Sequence, residues 1–329
     1  MNQKKSLLML LLSLVFACML PVAVGATTPT DEAYDSVGQT ELDEEQVPQF
    51  EEKYEEDKDK LPEVIDYDSS TLEELTEEHS EFTSVSSQGD LLDGPATVIE
   101  KNFDDTLNSI GETMATDNRV RINNTTSSPY NAMAHIVYAS SDGNWFTCSG
   151  TFLDSNTVLT AAHCVYDNYA NEYYQLWYVY PGADGANQPY GGYSSTDAYT
   201  TLGWMNSQAP QPGSIYFSDV QHDYAVIKVN SNHSHTLPVS SSSYRGDSIL
   251  AHGYPAELAD ANGYYLFRSE GAISDVTSDT LVHTSYITGG MSGGPILNNN
   301  NIISVNSTSS WGPQLTPSHV QVINQWRAN

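Results

Sequence analysis

Cysteine and basic residues are both scarce in this chain. It holds three Cys in 329 residues, and 12 Lys and Arg against 42 Asp and Glu, a formal charge of −30. So few basic residues argue against nucleic-acid binding, which needs clustered Lys and Arg to neutralise phosphates. Long apolar runs are equally rare. Only Ser6 to Leu20 is apolar enough to be considered for a membrane. It is short for a span and ends at Pro21.

That run has another reading. Lys4 and Lys5 precede it, and the small residues Val24, Gly25 and Ala26 follow. The pattern is that of a secretory signal peptide, residues 1–26, removed from the mature protein. A permanent anchor and a lipoprotein junction at Ala17-Cys18 fit less well. Export leaves Cys148 and Cys164, which implies one disulfide rather than two free thiols. It would stabilise the fold by about 3 kcal/mol in the chain-entropy model.

The acidic charge is uneven. Residues 27–112 hold 27 of the 42 Asp and Glu and four Lys. Aromatics are few there, so the segment cannot bury much apolar surface and is expected to be largely disordered alone. Glu51 to Glu56 and Leu72 to Glu78 are the places for short helices. The segment reads as an acidic propeptide, or else as a solvated spacer. From about residue 113 charge falls while Tyr, Trp, Ser, Thr, Gly and Asn rise. Short runs of β-formers alternate with turn residues, as in Thr151-Phe152-Leu153, Asp154-Ser155-Asn156, Thr157-Val158-Leu159-Thr160. Tyr224 to Val229, Ser248 to Leu250 and Ile302 to Val305 are further strands. The density of strands predicts an all-β sandwich or barrel, and the length suits two small barrels. Thr316-Pro317 starts a C-terminal helix, with Val320, Ile323 and Trp326 on one face, expected to pack on the second barrel.

Acyl transfer by serine needs a nucleophile, a base, a group that orients the base, and N–H donors for the oxyanion. Candidates for all four are present. Thr160-Ala161-Ala162-His163-Cys164 puts a His at a strand end after small residues. His222-Asp223-Tyr224-Ala225-Val226-Ile227-Lys228-Val229 puts an Asp where it can be buried against a ring. His222 itself reads as a bystander. Thr288-Gly289-Gly290-Met291-Ser292-Gly293-Gly294-Pro295 sets a Ser among glycines that permit tight turns. The N–H groups of Gly290 and Ser292 are the oxyanion candidates. Each segment also has a plain structural reading: a core His, a strand-initiating Asp, a Gly-rich turn.

Gly290-Met291-Ser292-Gly293-Gly294 also fits the nucleophile elbow of α/β-hydrolases. That fold requires an acid and then a His after the Ser. Here His319 follows Ser292 but no Asp or Glu does. The order His163, Asp223, Ser292 is that of trypsin-like proteases. The other histidines, such as His233 and His235, lack zinc-ligand spacing, so no metal or other cofactor is expected.

With these segments together, residues 113–329 resemble the bacterial glutamyl endopeptidases, secreted trypsin-like serine proteases made with a propeptide. Asp117 to Thr126 with Ser128-Pro129-Tyr130 resembles the family's mature N-terminal stretch. The Ala161–Cys164, Asp223-Tyr224, Gly253-Tyr254-Pro255 and Gly289–Pro295 segments share the likeness. The resemblance implies two six-stranded antiparallel β-barrels with a C-terminal helix and the triad in the cleft between them. It implies processing near Glu112-Thr113, polypeptide substrates, and a secreted, extracellular monomer that leaves the membrane with its signal. One position departs. The family places a substrate-binding His where Asn306 stands, and Asn brings N–H donors without positive charge. Thr288 and His283 are further pocket candidates, His283 equally a packed strand residue. The expected activity is peptide-bond hydrolysis, with Glu or Asp preference at P1 in question. The alternative is an inactive, protease-like binding protein.

Overall fold

The computed structural model describes residues 33–35, 40–42, 44–62, 65, 67–95, 115–209, 211–277 and 279–329. The signal peptide and the processing point at Glu112-Thr113 lie outside the described residues.

Two antiparallel sheets make up the body. The first runs Tyr193–Ser195, Leu176–Pro181, Met133–Ala139, Trp145–Phe152, Thr157–Thr160, Ala225–Lys228 and Asp197–Thr201. The second runs Asn301–Val305, Pro295–Asn298, Ser248–Gly253, Phe267–Thr277, Thr280–His283 and Trp311–Pro313, with Val120–Arg121 beside Phe267–Thr277. They are the two barrels of the expected fold. The second has the six expected strands and one further short strand, whereas the first has seven of its own. The Asp154 carboxylate accepts from the N–H groups of Asn156 and Thr157, making the sequence's Asp-Ser-Asn stretch a turn.

The acidic segment is not a loose spacer beside this body. It adds three strands to the first sheet and brings the total to ten. Ser84–Ser86 pairs with Asp197–Thr201, Leu91–Leu92 pairs with Ser84–Ser86, and Thr40–Glu41 pairs with Trp145–Phe152. Helices α1 (Val47–Asp57) and α2 (Ser69–Glu78) contain the two runs picked out in the sequence. A Pro in the first turn starts α1, and Asp68 caps α2 by accepting from the Thr71 N–H at 2.8 Å. Phe50, Leu72, Phe82 and Val85 are buried against the body. The segment owes its order to that docking, since its own apolar residues are too few to form a core.

Docking also explains a burial pattern. Leu176–Pro181 is buried along its whole length. A strand alternates its faces, and a sheet face left to water would be polar. Here Trp177 and Val179 share one face, while Tyr178 and Tyr180 share the other. Phe50 of α1 covers the latter, with ring centroids 6.1 and 6.2 Å away.

Helix α3 (Leu202–Met205) closes a corner near the site. Helix α4 (Pro317–Ala328) ends the chain and packs on the first barrel, not the second as expected. Its Trp326 meets Tyr224 at 5.4 Å, and its Trp326 carbonyl accepts from Lys228 Nζ at 2.8 Å. Aromatic area at the start of Ala225–Lys228 gives the helix its seat. The Thr316 hydroxyl does not cap the helix N–H groups; it bonds His319 Nδ1 at 2.6 Å.

Candidate active site

The site lies where the two barrels meet, and each group comes from the end of a strand. His163 sits in the turn Ala162–Cys164, just after Thr157–Thr160. Ala161 and Ala162 are fully buried, so larger side chains would not fit there. A disulfide joins Cys164 to Cys148 on the neighbouring strand, as expected, with the Cα atoms 6.3 Å apart. It fixes the turn that carries His163.

Asp223 follows the turn Phe217–His222 and precedes Ala225–Lys228. It is fully buried, and both its oxygens are held. Oδ1 accepts from the His163 backbone N–H at 2.9 Å. Oδ2 lies 2.7 Å from His163 Nδ1 and accepts from the Ser307 hydroxyl at 2.5 Å. A buried carboxylate so bound needs the proton on Nδ1, which leaves Nε2 as the accepting nitrogen. That is the state of a general base.

Ser292 stands in a loop braced from both barrels. Its carbonyl accepts from the Ser149 N–H at 2.7 Å, and the Ser149 hydroxyl donates to the Gly290 carbonyl at 2.8 Å. Gly290 and Gly293 have φ of 87° and 74°, a region that side chains resist. A Cβ on Gly293 would lie 2.1 Å from Thr160 Oγ1, so the first barrel presses directly on the loop. Among the described residues, no acceptor takes the N–H of Gly290 or Ser292. His163 Nε2 and Ser292 Oγ are likewise buried without hydrogen-bond partners. No hydrogen bond joins these two atoms in this structure; such bonds between candidate base and nucleophile are often long or poorly aligned before substrate binds. The sequence's three catalytic candidates thus share one seam, and its two oxyanion donors are free.

The substrate-binding candidates are engaged elsewhere. Asn306 is fully buried, and its two Nδ2 hydrogens go to the carbonyls of His252 and Met291, both at 2.8 Å. The Thr288 hydroxyl lies 2.7 Å from Arg119 Nη1 and 2.8 Å from Glu257 Oε1. His283 is a packed residue of Thr280–His283, and burial pushes its imidazole pKa down to about 3. His222 is also buried and pushed down to about 4, and its Nε2 lies 3.8 Å from Glu81 Oε2. Its ring packs against Gly203, where a Cβ would approach to 2.5 Å.

Sequence reasoning missed three residues. Ser307 and Ser149 are serines in strand-rich stretches with no local signature. Arg119 could have been noticed as one of the few basic residues after residue 112. Its side chain is only 4 % exposed and pairs with Asp117 and Glu257.

The two-barrel fold is that of trypsin-like peptidases, and comparison with known proteins agrees. A trypsin-like peptidase domain matches residues 148–302. The chain is 30% identical over 213 residues to the extracellular metalloprotease of Bacillus subtilis (strain 168), spanning 63% of each. It is 28% identical over 193 residues to the glutamyl endopeptidase of Bacillus licheniformis, covering 57% of this chain and 55% of that protein. The chain thus spans less than two thirds of these curated relatives. A solved Glu endopeptidase superposes with a TM-score of 0.56 at 26% identity, covering 64% of this chain and 97% of that one. Protease Anisep from Arthrobacter nicotinovorans shares the fold, with a TM-score of 0.50 at 22% identity over 60% of this chain and 96% of that one. The chain is thus similar to trypsin-like peptidases, a glutamyl endopeptidase among them.

The name of the first relative raises the question of a metal. Among the described residues, one group of three donor-bearing residues, Cys148, His163 and Cys164, has ligand atoms within 4.8 Å of one another. Both sulfurs are in the disulfide and have no thiolate to offer. His163 Nδ1 already faces Asp223. This donor set does not fit a metal ion.

Proposed function

We propose that the protein is a secreted serine endopeptidase, made as a precursor, that cuts polypeptides through an acyl-enzyme. The observation that carries this reading is the Asp223–His163 pair, fixed at 2.7 Å and 2.9 Å, together with a buried Ser292 whose N–H, like that of Gly290, meets no acceptor among the described residues. Ser292 Oγ attacks the scissile carbonyl while His163 Nε2 takes its proton. Asp223 holds the ring and stabilises the imidazolium. The carbonyl oxygen gains negative charge and is met by the N–H groups of Gly290 and Ser292. His163 then gives the proton to the leaving amine. Water repeats the sequence on the acyl-enzyme and frees Ser292.

In this reading residues 1–26 are a signal peptide, residues 27–112 a propeptide, and residues 113–329 the protease domain. Support for export comes from the apolar N-terminal run, the disulfide and the extracellular relative. Among the described residues no helix is long and apolar enough to cross a membrane. Support for a latent precursor comes from Ser292, which is fully buried in the whole chain. The glutamyl endopeptidase relative makes Glu or Asp at P1 the first preference to test. Asn306 offers little toward it, because both its N–H groups are bound to carbonyls.

The test is cleavage of peptides varied at P1 by the processed protein beside its Ser292→Ala variant, with labelling by a serine-directed phosphonate. Cleavage and labelling that both vanish in the variant are expected. A folded protein that neither cuts nor labels would return the inactive binding protein as the better account.

A further inference from the structure

Residues 40–42 and 44–57 touch the body in two ways in succession. First they add a strand. Thr40 and Glu41 pair antiparallel with Thr147 and Phe146, and the Leu42 N–H donates to the Trp145 carbonyl at 2.9 Å. Then they lay down α1. Phe50 enters a cluster of Trp145, Tyr178 and Tyr180, with centroids 5.8, 6.1 and 6.2 Å away. Tyr54 meets Trp145 edge-on at 5.8 Å, and Lys53 Nζ lies 4.1 Å from the Tyr178 ring centroid. The Gln46 side chain reaches the second barrel and donates to the Asp260 carbonyl at 3.0 Å. Strand addition and a helix on an apolar floor are both recognised modes of peptide binding. Trp145 serves both, through its carbonyl and its ring.

The docking strand is also the strand that braces the nucleophile. Trp145–Phe152 carries Ser149, which holds the Ser292 and Gly290 carbonyls. The bound segment therefore lies at the site itself. Thr40 Oγ1 stands 2.2 Å from where a Cβ on Gly289 would be, one residue before Gly290.

We propose that the segment of residues 40–42 and 44–57 stays on this surface after the chain is cut between residues 95 and 115, as a reversible inhibitor, with Phe50 as its anchor. The occupant is this chain's own segment, and its chemistry fits. A buried aromatic supplies the apolar contact, a cation faces the Tyr178 ring, and backbone pairing fixes the register beside Gly289. The noncovalent contacts between segment and body do not depend on the peptide link that is cut. Phe50 is 6 % exposed and Leu42 is 5 % exposed, as expected of anchors. Departure of the segment would uncover Trp145, Tyr178 and Tyr180 together, a patch that water disfavours.

This proposal rests on the protease reading, and the experiment separates the two. A site for an added, specific protease is placed at Glu112-Thr113 in the full chain, and the purified protein is cut. Hydrolysis of a short peptide is followed on dilution, and association of the two pieces is followed by gel filtration. Activity per molecule is expected to rise on dilution and fall when the segment is returned. Phe50→Ala in the segment is expected to weaken inhibition and association by roughly 30-fold or more. Lys53→Ala, a milder change at a half-buried position, is expected to weaken both by about 2- to 30-fold. Activity that ignores dilution while the pieces stay together overturns the proposal, as does a Phe50→Ala segment that binds and inhibits like the original. Association is also read in the Ser292→Ala protein, where no activity is needed. If the separated body neither cuts nor labels, the protease reading fails and the inhibitor role with it. Loss of docking in an active body overturns only the inhibitor role.

Discussion

Ser307 and His163 share one oxygen of Asp223. The Ser307 hydroxyl donates to Oδ2 at 2.5 Å, and His163 Nδ1 meets the same atom at 2.7 Å. Ser307 comes from the second barrel and His163 from the first, so this oxygen ties the two halves together beneath the His163 ring.

In the proposed mechanism Ser307 is therefore a positioning residue. Ser307→Ala removes a hydrogen bond to a buried carboxylate, an interaction worth about 1.5–3 kcal/mol. The expected result is a kcat lower by about tenfold or more, with KM little changed, and recovery in Ser307→Thr. Equal loss in both variants, or a loss confined to KM, would show that the hydroxyl does not act through Asp223.

The nucleophile loop gives a second test. Gly293 has φ of 74°, and a Cβ there would stand 2.1 Å from Thr160 Oγ1 and 2.5 Å from the Ser149 carbonyl. Backbone on one side and a strand on the other leave no direction for relief. Gly293→Ala is expected to destabilise the protein by about 2–4 kcal/mol and to abolish phosphonate labelling. Thermal unfolding and labelling together check this. A variant with unchanged melting and labelling would mean that the barrels separate more easily than the contacts imply.

The contrast between these two residues shows what a sequence can carry. Gly293 was legible because glycines around a serine have a local meaning. His163 and Asp223 were legible because small residues and an apolar strand prepare their places. Ser307 was not, since its role is set by a partner 84 positions away. The same limit applied to the acidic segment. Its helices were legible from local runs, but its docking was not, because Phe50 and Val85 find their partners in strands of the body. The seat of α4 was misjudged for a similar reason. Its periodic face was visible, yet only the position of Tyr224 decides which barrel it covers.

Acid should weaken this protein through its buried histidines. Burial lowers His135 and His283 to about 3, and His222, His252 and His319 to about 4, from an ordinary 6.5. Folded, these rings stay neutral; unfolded, they take up protons below about pH 6.5. The unfolded state thus binds more protons in this window, so their contribution is intact above pH 6.5 and is lost as pH falls toward 4. Melting temperature is expected to drop steeply from pH 7 to pH 4.5. Among the described residues neither ring nitrogen of His283 has a hydrogen-bond partner. His283→Leu therefore leaves no polar group stranded and should flatten the slope by about 1.4 kcal/mol per pH unit, the effect of one proton. An unchanged slope would assign the acid sensitivity to other groups.

Asn306 separates two ideas about specificity. If it reads the P1 side chain, replacing it changes which peptides are cut. Its geometry argues for a different task. Its Nδ2 hydrogens hold the His252 and Met291 carbonyls, and Met291 directly precedes Ser292. Asn306→Ala would take one donor from each carbonyl, leaving that of Met291 with the Gly294 N–H, at about 0.5–1.5 kcal/mol for each lost bond. The nucleophile loop would loosen for every substrate alike. The expected result is a kcat lower by about ten- to a hundredfold on all cleaved peptides, with the ratio of Glu to Gln cleavage at P1 held within about twofold. Steady-state kinetics on paired Glu and Gln peptides decides the matter. A ratio that shifts while kcat holds would make Asn306 a reader of the substrate; a uniform fall makes it a brace for Ser292, and the source of any acidic preference must then be sought in other side chains of the pocket.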